Sequence, residues 1–190
     1  MTETGSETET RVVAACSKCG VHWYLDREPA KCTAPDHEPQ LFETHVHRST
    51  VVLPDGTSVM AVSFDRFDPY RRGVAPDFGL YLDHAWQAPW PSDRVEWPDF
   101  GVPADAGLLR TSLQSLLDRA RAGERVELGC LGGHGRTGTA LGCLAVLAGV
   151  PPAEAVAWVR ANYCEKAVET PDQEAFVSGF TDITDPGGPS

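Results

Sequence analysis

One short segment constrains this chain more than any other, and it reads Leu128-Gly129-Cys130-Leu131-Gly132-Gly133-His134-Gly135-Arg136-Thr137-Gly138. It lies between a predicted strand, residues 125–128, and a predicted helix, residues 136–148. Its glycines permit unusual backbone angles, so successive backbone N–H groups can point inward and form an anion-binding concavity. The helix that follows adds unpaired N–H groups and a positive dipole end at the same place. The segment therefore predicts a phosphate-binding loop.

Two side chains of this loop predict chemistry in addition to binding. Arg136, at the helix start, can give a two-pronged hydrogen bond to a phosphate. Cys130 opens the loop, so its sulfur would lie beneath a bound phosphorus atom, and the same amides and dipole would favour its thiolate. The alternative interpretation is a glycine-rich turn with a buried structural cysteine. A nucleotide-binding P-loop is excluded because the Gly-Lys-Ser/Thr sequence is absent.

The loop resembles the signature of the protein tyrosine phosphatase superfamily, which is Cys, five residues, Arg, Ser or Thr, and Gly. The resemblance implies that Cys130 is the nucleophile and Arg136 the phosphate clamp, and we expect Thr137 to assist the departing sulfur in the second step. One departure is Gly129, where the family usually has His. The residues expected to bind the phosphate are Leu131, Gly132, Gly133, His134, Gly135 and Arg136.

A second segment, residues 97–103, resembles the Trp-Pro-Asp loop of tyrosine phosphatases. It reads Trp-Pro-Asp-Phe-Gly-Val-Pro and precedes the cysteine loop, as it does in that family. The resemblance implies that Asp99 protonates the leaving oxygen and later acts as base on the hydrolytic water. A positioned proton donor contributes about 10²–10⁴ in rate. Taken alone, Trp-Pro-Asp is also an ordinary surface turn.

A third, weaker resemblance concerns residues 169–173, which read Glu-Thr-Pro-Asp-Gln. This segment falls where some members of the superfamily carry a glutamine that orients the hydrolytic water. Gln173 is therefore a candidate for that role. The alternative is a capped, exposed helix start.

The N-terminal part holds a cluster of residues with metal-ligand spacing. Cys16 and Cys19 form a Cys-x2-Cys pair, and Cys32 and His37 follow. Four such ligands suit tetrahedral zinc, and a short polar stretch without a core would gain its fold from the metal. His22, His45 or His47 are alternatives to His37 as the fourth ligand. Three free thiols on a poorly ordered segment are the other interpretation.

The chain divides by composition into a disordered tail (1–11), a zinc-ribbon-like module (12–43), a phosphatase-like domain (44–183) and a second disordered tail (184–190). Val- and Thr-rich runs on either side of Pro54-Asp55-Gly56 predict a hairpin. Further on, a strand is predicted at 78–82 and helices at 104–121, 152–163 and from an N-cap at Thr170 to 180. This alternation predicts an α/β fold with a central, mostly parallel sheet flanked by helices.

Charge and hydropathy limit the classes of molecule that this chain is expected to bind. The net charge of −11 repels nucleic acid and anionic membrane, so an anionic substrate needs a local site. No apolar run is long enough to span a bilayer, and the first ten residues lack the pattern of a signal peptide. We expect a cytoplasmic protein whose six cysteines are thiols, metal ligands or a nucleophile before they are disulfides.

Together these observations predict a phosphatase that hydrolyses phosphate monoesters of protein phosphotyrosine or dual-specificity type through a phosphocysteine intermediate. The alternative is a phosphatase-like interaction module that binds phosphate without turnover. The chemistry needs no metal, and zinc is expected to be structural. A phosphorylated protein, a sugar phosphate, a nucleotide and a lipid headgroup would all fit the same loop, and no pattern indicates an oligomeric state.

Overall fold

The structure, a computed structural model, describes residues 9–15, 22–24, 40–63, 74–83 and 87–181, with the backbone alone before residue 47. Along these residues run the strands β1 (Glu9–Ala15), β2 (His22–Tyr24), β3 (Gln40–Val46), β4 (Arg48–Val52), β5 (Ser58–Ser63), β6 (Phe78–Tyr81), β7 (Ser92–Arg94) and β8 (Val126–Cys130). The helices are α1 (Ala106–Arg121), α2 (Gly135–Leu147), α3 (Pro152–Asn162) and α4 (Pro171–Ser178).

The central sheet has the strand order β4-β5-β8-β6-β7. Strand β4 is antiparallel to β5, whereas β5, β8, β6 and β7 run parallel to one another. The expected α/β fold with a mostly parallel sheet is therefore confirmed. Strand β8 is central and buried along its length, so the loop that follows it leaves from the middle of the carboxyl edge. Ligands of open α/β sheets bind at this edge.

The hairpin of β4 and β5 forms around the predicted turn, where Gly56 has a φ of +86°. Its first strand begins later than the sequence suggested, because the chain passes from one sheet to the other at His47. The N–H of His47 is bonded to the Ser63 hydroxyl at 2.8 Å, and its carbonyl accepts from Ser63 N–H at 2.8 Å. Residues 40–46 pair with β1 instead.

The helices cover the sheet through an apolar core. Helix α1 is capped by Asp105, whose side chain accepts from Leu108 N–H, and it presents a leucine stripe at the predicted helical spacing. Helix α2 is buried on nearly every side, since it packs on β8 and against α1, α3 and α4. Helix α4 begins after the predicted N-cap, Thr170, whose hydroxyl accepts from Gln173 N–H at 3.3 Å. The buried stripe of α1 consists of Leu109, Leu113, Leu116 and Leu117.

The N-terminal strands form a separate antiparallel sheet with the order β2-β1-β3. Strand β1 begins at Glu9, within the segment expected to be a tail. The four expected zinc ligands, Cys16, Cys19, Cys32 and His37, lie outside the described residues. By chain position the first two belong to the β1–β2 connection and the other two to the β2–β3 connection.

Among the described helices, none combines the length and apolar character needed to cross a membrane.

Candidate active site

The nucleophile predicted from the sequence lies at the end of β8, with only 2% of Cys130 exposed. Its sulfur accepts hydrogen bonds from Gly133 N–H at 3.3 Å and from the Thr137 hydroxyl at 3.0 Å. The loop thus curls around the sulfur, and helix α2 begins directly above it at Gly135. Both contacts place a hydrogen-bond donor against the sulfur beside a helix N-terminus.

Gly133 is the residue on which this loop shape depends. Its φ is +76°, a left-handed conformation that costs a residue with a Cβ about 1–2 kcal/mol. A Cβ there would also lie 3.1 Å from His47 Cδ2 and 3.1 Å from Ser63 Cβ. The neighbouring Gly132 differs, since a Cβ would meet nothing nearer than His134 Nδ1 at 3.9 Å. One glycine of the pair is therefore obligatory and the other is not.

Arg136 joins the phosphate loop to the predicted acid loop. The side chain is 4% exposed, and its Nη1 donates to Trp97 O at 3.1 Å and to Asp83 Oδ2 at 3.4 Å. Its Nη2 lies 3.2 Å from Asp99 Oδ1. Its Nε is buried and has no hydrogen-bond partner among the described residues. A buried guanidinium with an unsatisfied N–H is suited to receive an oxyanion.

The acid loop is a tight turn between β7 and α1. The indole Nε1 of Trp97 donates to Gly101 O at 2.7 Å, which closes the turn across Asp99. Phe100 has a φ of +59°, and its carbonyl accepts from the Thr170 hydroxyl at 3.2 Å. The Asp99 side chain is 54% exposed, so it is in contact with solvent while it faces Arg136.

The structure places Gln173 behind the acid loop. The side chain is fully buried, its Nε2 donates to Gly101 O at 3.1 Å, and its Oε1 accepts from Glu169 N–H at 2.9 Å. Both ends of the amide are therefore engaged in holding the two segments together. Its predicted role in orienting water stays a prediction, and the contacts show in addition that it positions the acid loop.

Glu169 brings a second carboxyl group to the site. It accepts a hydrogen bond from Gly135 N–H, and its pKa is raised above the ordinary 4.5, first by burial and then by the nearby Asp99, while Arg136 opposes the rise. The segment is held from behind by Arg160, whose guanidinium donates to the carbonyls at 167 and 168 at 3.0 and 2.9 Å. The phosphate loop therefore contacts the Glu169 carboxyl group, which becomes negatively charged at a higher pH than an ordinary glutamate does.

The back of the phosphate loop is polar as well. The Tyr163 hydroxyl donates to Gly133 O at 2.6 Å, and burial, with the nearby Cys130 and Cys164, raises the pKa of Tyr163 well above its ordinary value. The His134 Nε2 lies 3.0 Å from the Nε2 of His47. The His134 side chain is therefore engaged with His47, and its predicted part in phosphate binding stays a prediction.

The structure therefore assembles Cys130, Arg136, Thr137 and Asp99 at the carboxyl edge of the sheet, with Gln173 one layer behind. It adds Asp83 and Glu169, which the sequence analysis did not identify as site residues. A signal existed for Asp83, since a polar residue directly after a buried strand marks that edge. For Glu169, the sequence signal was only its position four residues before Gln173. The arrangement offers a sulfur, a guanidinium, a backbone amide directed at the sulfur and three carboxyl groups, which together suit attack on a phosphate ester.

Comparisons with known proteins extend these observations. No model of a known protein family matches the sequence. Two uncharacterized proteins of Methanocaldococcus jannaschii are similar to it: one is 37% identical over 114 residues, covering 53% of this chain and 74% of the relative. The other is 35% identical over 111 residues, covering 52% of this chain and 66% of the relative.

Among solved structures, the chain resembles Tk-PTP in its active form, with a TM-score of 0.52, 23% identity and coverage of 67% of this chain and 92% of that one. It also resembles the kinase associated phosphatase with its catalytic-site cysteine replaced by serine, with a TM-score of 0.57, 15% identity and coverage of 70% and 92%. The tyrosine phosphatase TcPTP1 of Trypanosoma cruzi gives a TM-score of 0.51, 14% identity and coverage of 70% of both chains. The fold of this chain is thus the fold found in protein tyrosine phosphatases.

Proposed function

This chain belongs to the same family as the uncharacterized Methanocaldococcus jannaschii protein of which it spans 74%, and from that premise and its fold we propose that it is a cysteine-dependent phosphatase. It hydrolyses phosphate monoesters through a phosphocysteine intermediate. The observation that carries the proposal is the convergence of Cys130, Arg136 and Asp99 at the carboxyl edge of the sheet, with Arg136 in contact with Asp99 and its buried Nε without a hydrogen-bond partner among the described residues.

In the first step, the phosphate is held by the loop amides of residues 131–136 and by Arg136. The Cys130 thiolate attacks phosphorus in line, a sulfur–phosphorus bond forms, and the bond from phosphorus to the ester oxygen breaks. Asp99 gives its proton to that oxygen, so the leaving group departs as a neutral alcohol or phenol. The exposure of Asp99 and its turn conformation suit a group that must face a leaving group of variable shape.

In the second step, water attacks the phosphocysteine and Asp99, now ionised, takes a proton from it. The sulfur–phosphorus bond breaks and Cys130 departs as a thiolate. The hydrogen bonds from Thr137 and Gly133 to this sulfur stabilise the charge that develops on it. These two donors are the part of the loop that serves the second step most directly.

We propose a phosphorylated protein of the phosphotyrosine or dual-specificity class as substrate. Phe100 is exposed directly beside the acid, which gives an aryl leaving group an apolar surface to contact. A cytoplasmic location is part of the proposal, because a reducing compartment keeps a thiolate nucleophile active.

The test is turnover of a panel of phosphate esters by the purified full-length protein and its Cys130→Ser variant. The variant should lose hydrolysis of an aryl phosphate by more than about a thousandfold, since serine is a far weaker nucleophile at neutral pH, and should still bind tungstate by calorimetry. Cys143→Ser, which removes a buried thiol on α2, is the matched control. Activity of Cys130→Ser within tenfold of the wild type would end the mechanism. Tungstate binding by a wild-type protein without turnover would favour the interaction module.

We further propose structural zinc on Cys16, Cys19, Cys32 and His37. The described strands on either side support it, since β1 pairs with both β2 and β3 and its Ala15 end is paired with His22 and Gln40. The β1–β2 and β2–β3 connections, which contain these ligands, therefore each have at least one end beside Ala15. Cys16→Ser should lose bound zinc and lower the melting temperature, and equal metal content and melting in variant and wild type would refute the module.

A further inference from the structure

Three metal-ligating side chains from three distant parts of the chain meet behind the phosphate loop. They are His47 at the switch between the sheets, His134 in the loop and Cys164 after α3. One ring nitrogen of each histidine and the cysteine sulfur all lie within 4.8 Å of one another. The two Nε2 atoms are 3.0 Å apart, and the rings are nearly perpendicular, with centroids 4.5 Å apart.

This geometry is close to what a tetrahedral ion requires. With Zn–N bonds of about 2.0–2.1 Å and Zn–S bonds of about 2.3 Å, ligand nitrogens are separated by roughly 3.3 Å and nitrogen from sulfur by roughly 3.6 Å. The observed separations need to change by about 1 Å or less. Both histidines are buried, and Cys164 is partly buried.

The turn that carries Cys164 is fixed by its backbone, since the Ala167 N–H donates to the Cys164 carbonyl at 2.9 Å. Tyr163 closes one side, with its ring centroid 4.8 Å from that of His47 and its hydroxyl bonded to the loop.

We propose that His47, His134 and Cys164 bind one divalent transition metal ion of the zinc class, with the fourth position taken by water. Because the ion holds His134, it fixes the loop from its rear face and takes no part in the phosphoryl transfer. Binding releases the Cys164 proton to solvent. This site differs from the proposed N-terminal zinc site in every ligand, and it does not depend on the proposed phosphatase activity.

The test is a cobalt titration of metal-depleted full-length protein, followed by absorbance. Cobalt bound to a thiolate gives a sulfur-to-metal charge-transfer band and, when tetrahedral, intense visible bands, so both ligand type and geometry are read without any assay of turnover. Cys164→Ser and His47→Gln should each bind one equivalent fewer than the wild type and lose the corresponding part of the spectrum. Cys143→Ser, the buried-cysteine control, should match the wild type.

Any metal at the N-terminal cluster contributes equally to wild type and variants and cancels in the difference. Melting of the metal-depleted proteins checks folding, and if Cys164→Ser fails to fold, His47→Gln decides. Equal stoichiometry and equal spectra in the wild type and in the folded variants would overturn the site and leave a hydrogen-bonded histidine pair beside a thiol.

Discussion

The phosphate loop and the acid loop meet at Arg136 but are built in different ways. The phosphate loop connects β8, the central strand, to α2, a helix buried on nearly every side. The acid loop connects a three-residue strand near the sheet edge to α1. Its position is held by a few polar contacts, from Trp97, Thr170 and Gln173, to carbonyls at 100 and 101.

In the proposed reaction, the phosphate loop binds the substrate and the acid loop transfers the proton, so the two roles belong to regions of different rigidity. The phosphate loop cannot move without disturbing the core, so its donors are preorganised. The acid loop is anchored in the core by Trp97, but its tip at residues 98–101 can move by breaking a handful of hydrogen bonds, each of which contributes only about 0.5–1.5 kcal/mol net. Changes in the first region should therefore alter stability and activity together, whereas changes in the second should alter activity with little loss of stability.

The largest effect that tests this comparison is expected at Asp99. Asp99→Ala should slow hydrolysis of an alkyl phosphate by about 10²–10⁴ and that of an activated aryl phosphate far less, because a good leaving group needs little protonation. Melting should change little. Glu96→Ala, which removes an exposed carboxylate of the same turn, is the control. Equal losses on both substrates would show that Asp99 is not the general acid.

Next in size is the contrast between the two adjacent glycines. Gly133→Ala should lower stability by about 1–2 kcal/mol through its left-handed backbone, with additional strain against His47, and should lower activity about tenfold or more. Gly132→Ala should be close to wild type in both melting and turnover, since its Cβ would meet open space. Similar behaviour of the two variants would mean that the loop is not rigid in the way described.

A smaller effect is expected at Gln173. Gln173→Leu removes both bonds of the buried amide and should lower the turnover number for alkyl phosphates by about tenfold with little change in the activated aryl substrate. The Gly101 carbonyl keeps its bond from the Trp97 indole, whereas the unpaired Glu169 N–H should cost about 1–3 kcal/mol of stability. Gln114→Leu, on the exposed face of α1, controls for the substitution. A burst of product followed by slow turnover would instead assign Gln173 to the water of the second step.

The smallest effect should come from Glu169, and it should depend on pH. Because its pKa is raised above the ordinary value, Glu169 is neutral below that raised pKa and negative above it. Above it the carboxylate repels the phosphate, so Glu169→Gln should lower KM by about two- to fivefold, the scale of a partly exposed charge pair. The two KM values should converge as the pH falls through the raised pKa.

Asp172→Asn makes the same change of charge at an exposed position of α4 and should leave KM unchanged. A fall in the turnover number of Glu169→Gln at constant KM would place this residue in the chemistry and not in substrate repulsion.

The elements that the sequence predicts well are those decided by local patterns. The leucine spacing of α1, the Pro54-Asp55-Gly56 turn and the cap at Thr170 act within a few residues, and the structure contains each of them. The phosphate loop is predictable for the same reason, since its glycines and Cys130 all lie within residues 129–138. Gly133 carries the positive φ that the glycine pattern suggested.

The parts that the sequence does not predict are contacts between distant segments. Asp83 reaches Arg136 across 53 positions and His47 reaches His134 across 87, and only the strand order brings these residues together. The late start of the first hairpin strand has the same cause, because residues 40–46 pair with β1. No local sequence pattern predicts which of the two sheets a strand will join.

The hydrogen bond from Arg136 to the Trp97 carbonyl has a consequence for the rate at which a substrate binds. Because Arg136 Nη1 donates to the Trp97 carbonyl and Nη2 faces Asp99, a phosphate ester that takes both of these donors would have to displace the acid loop. Apparent affinity is then reduced by the fraction of molecules in the open form. Small oxyanions that fit beneath the loop escape this penalty, whereas bulky phosphoproteins experience it in full. The chain would therefore discriminate among ligands by association rate before any side chain recognises them.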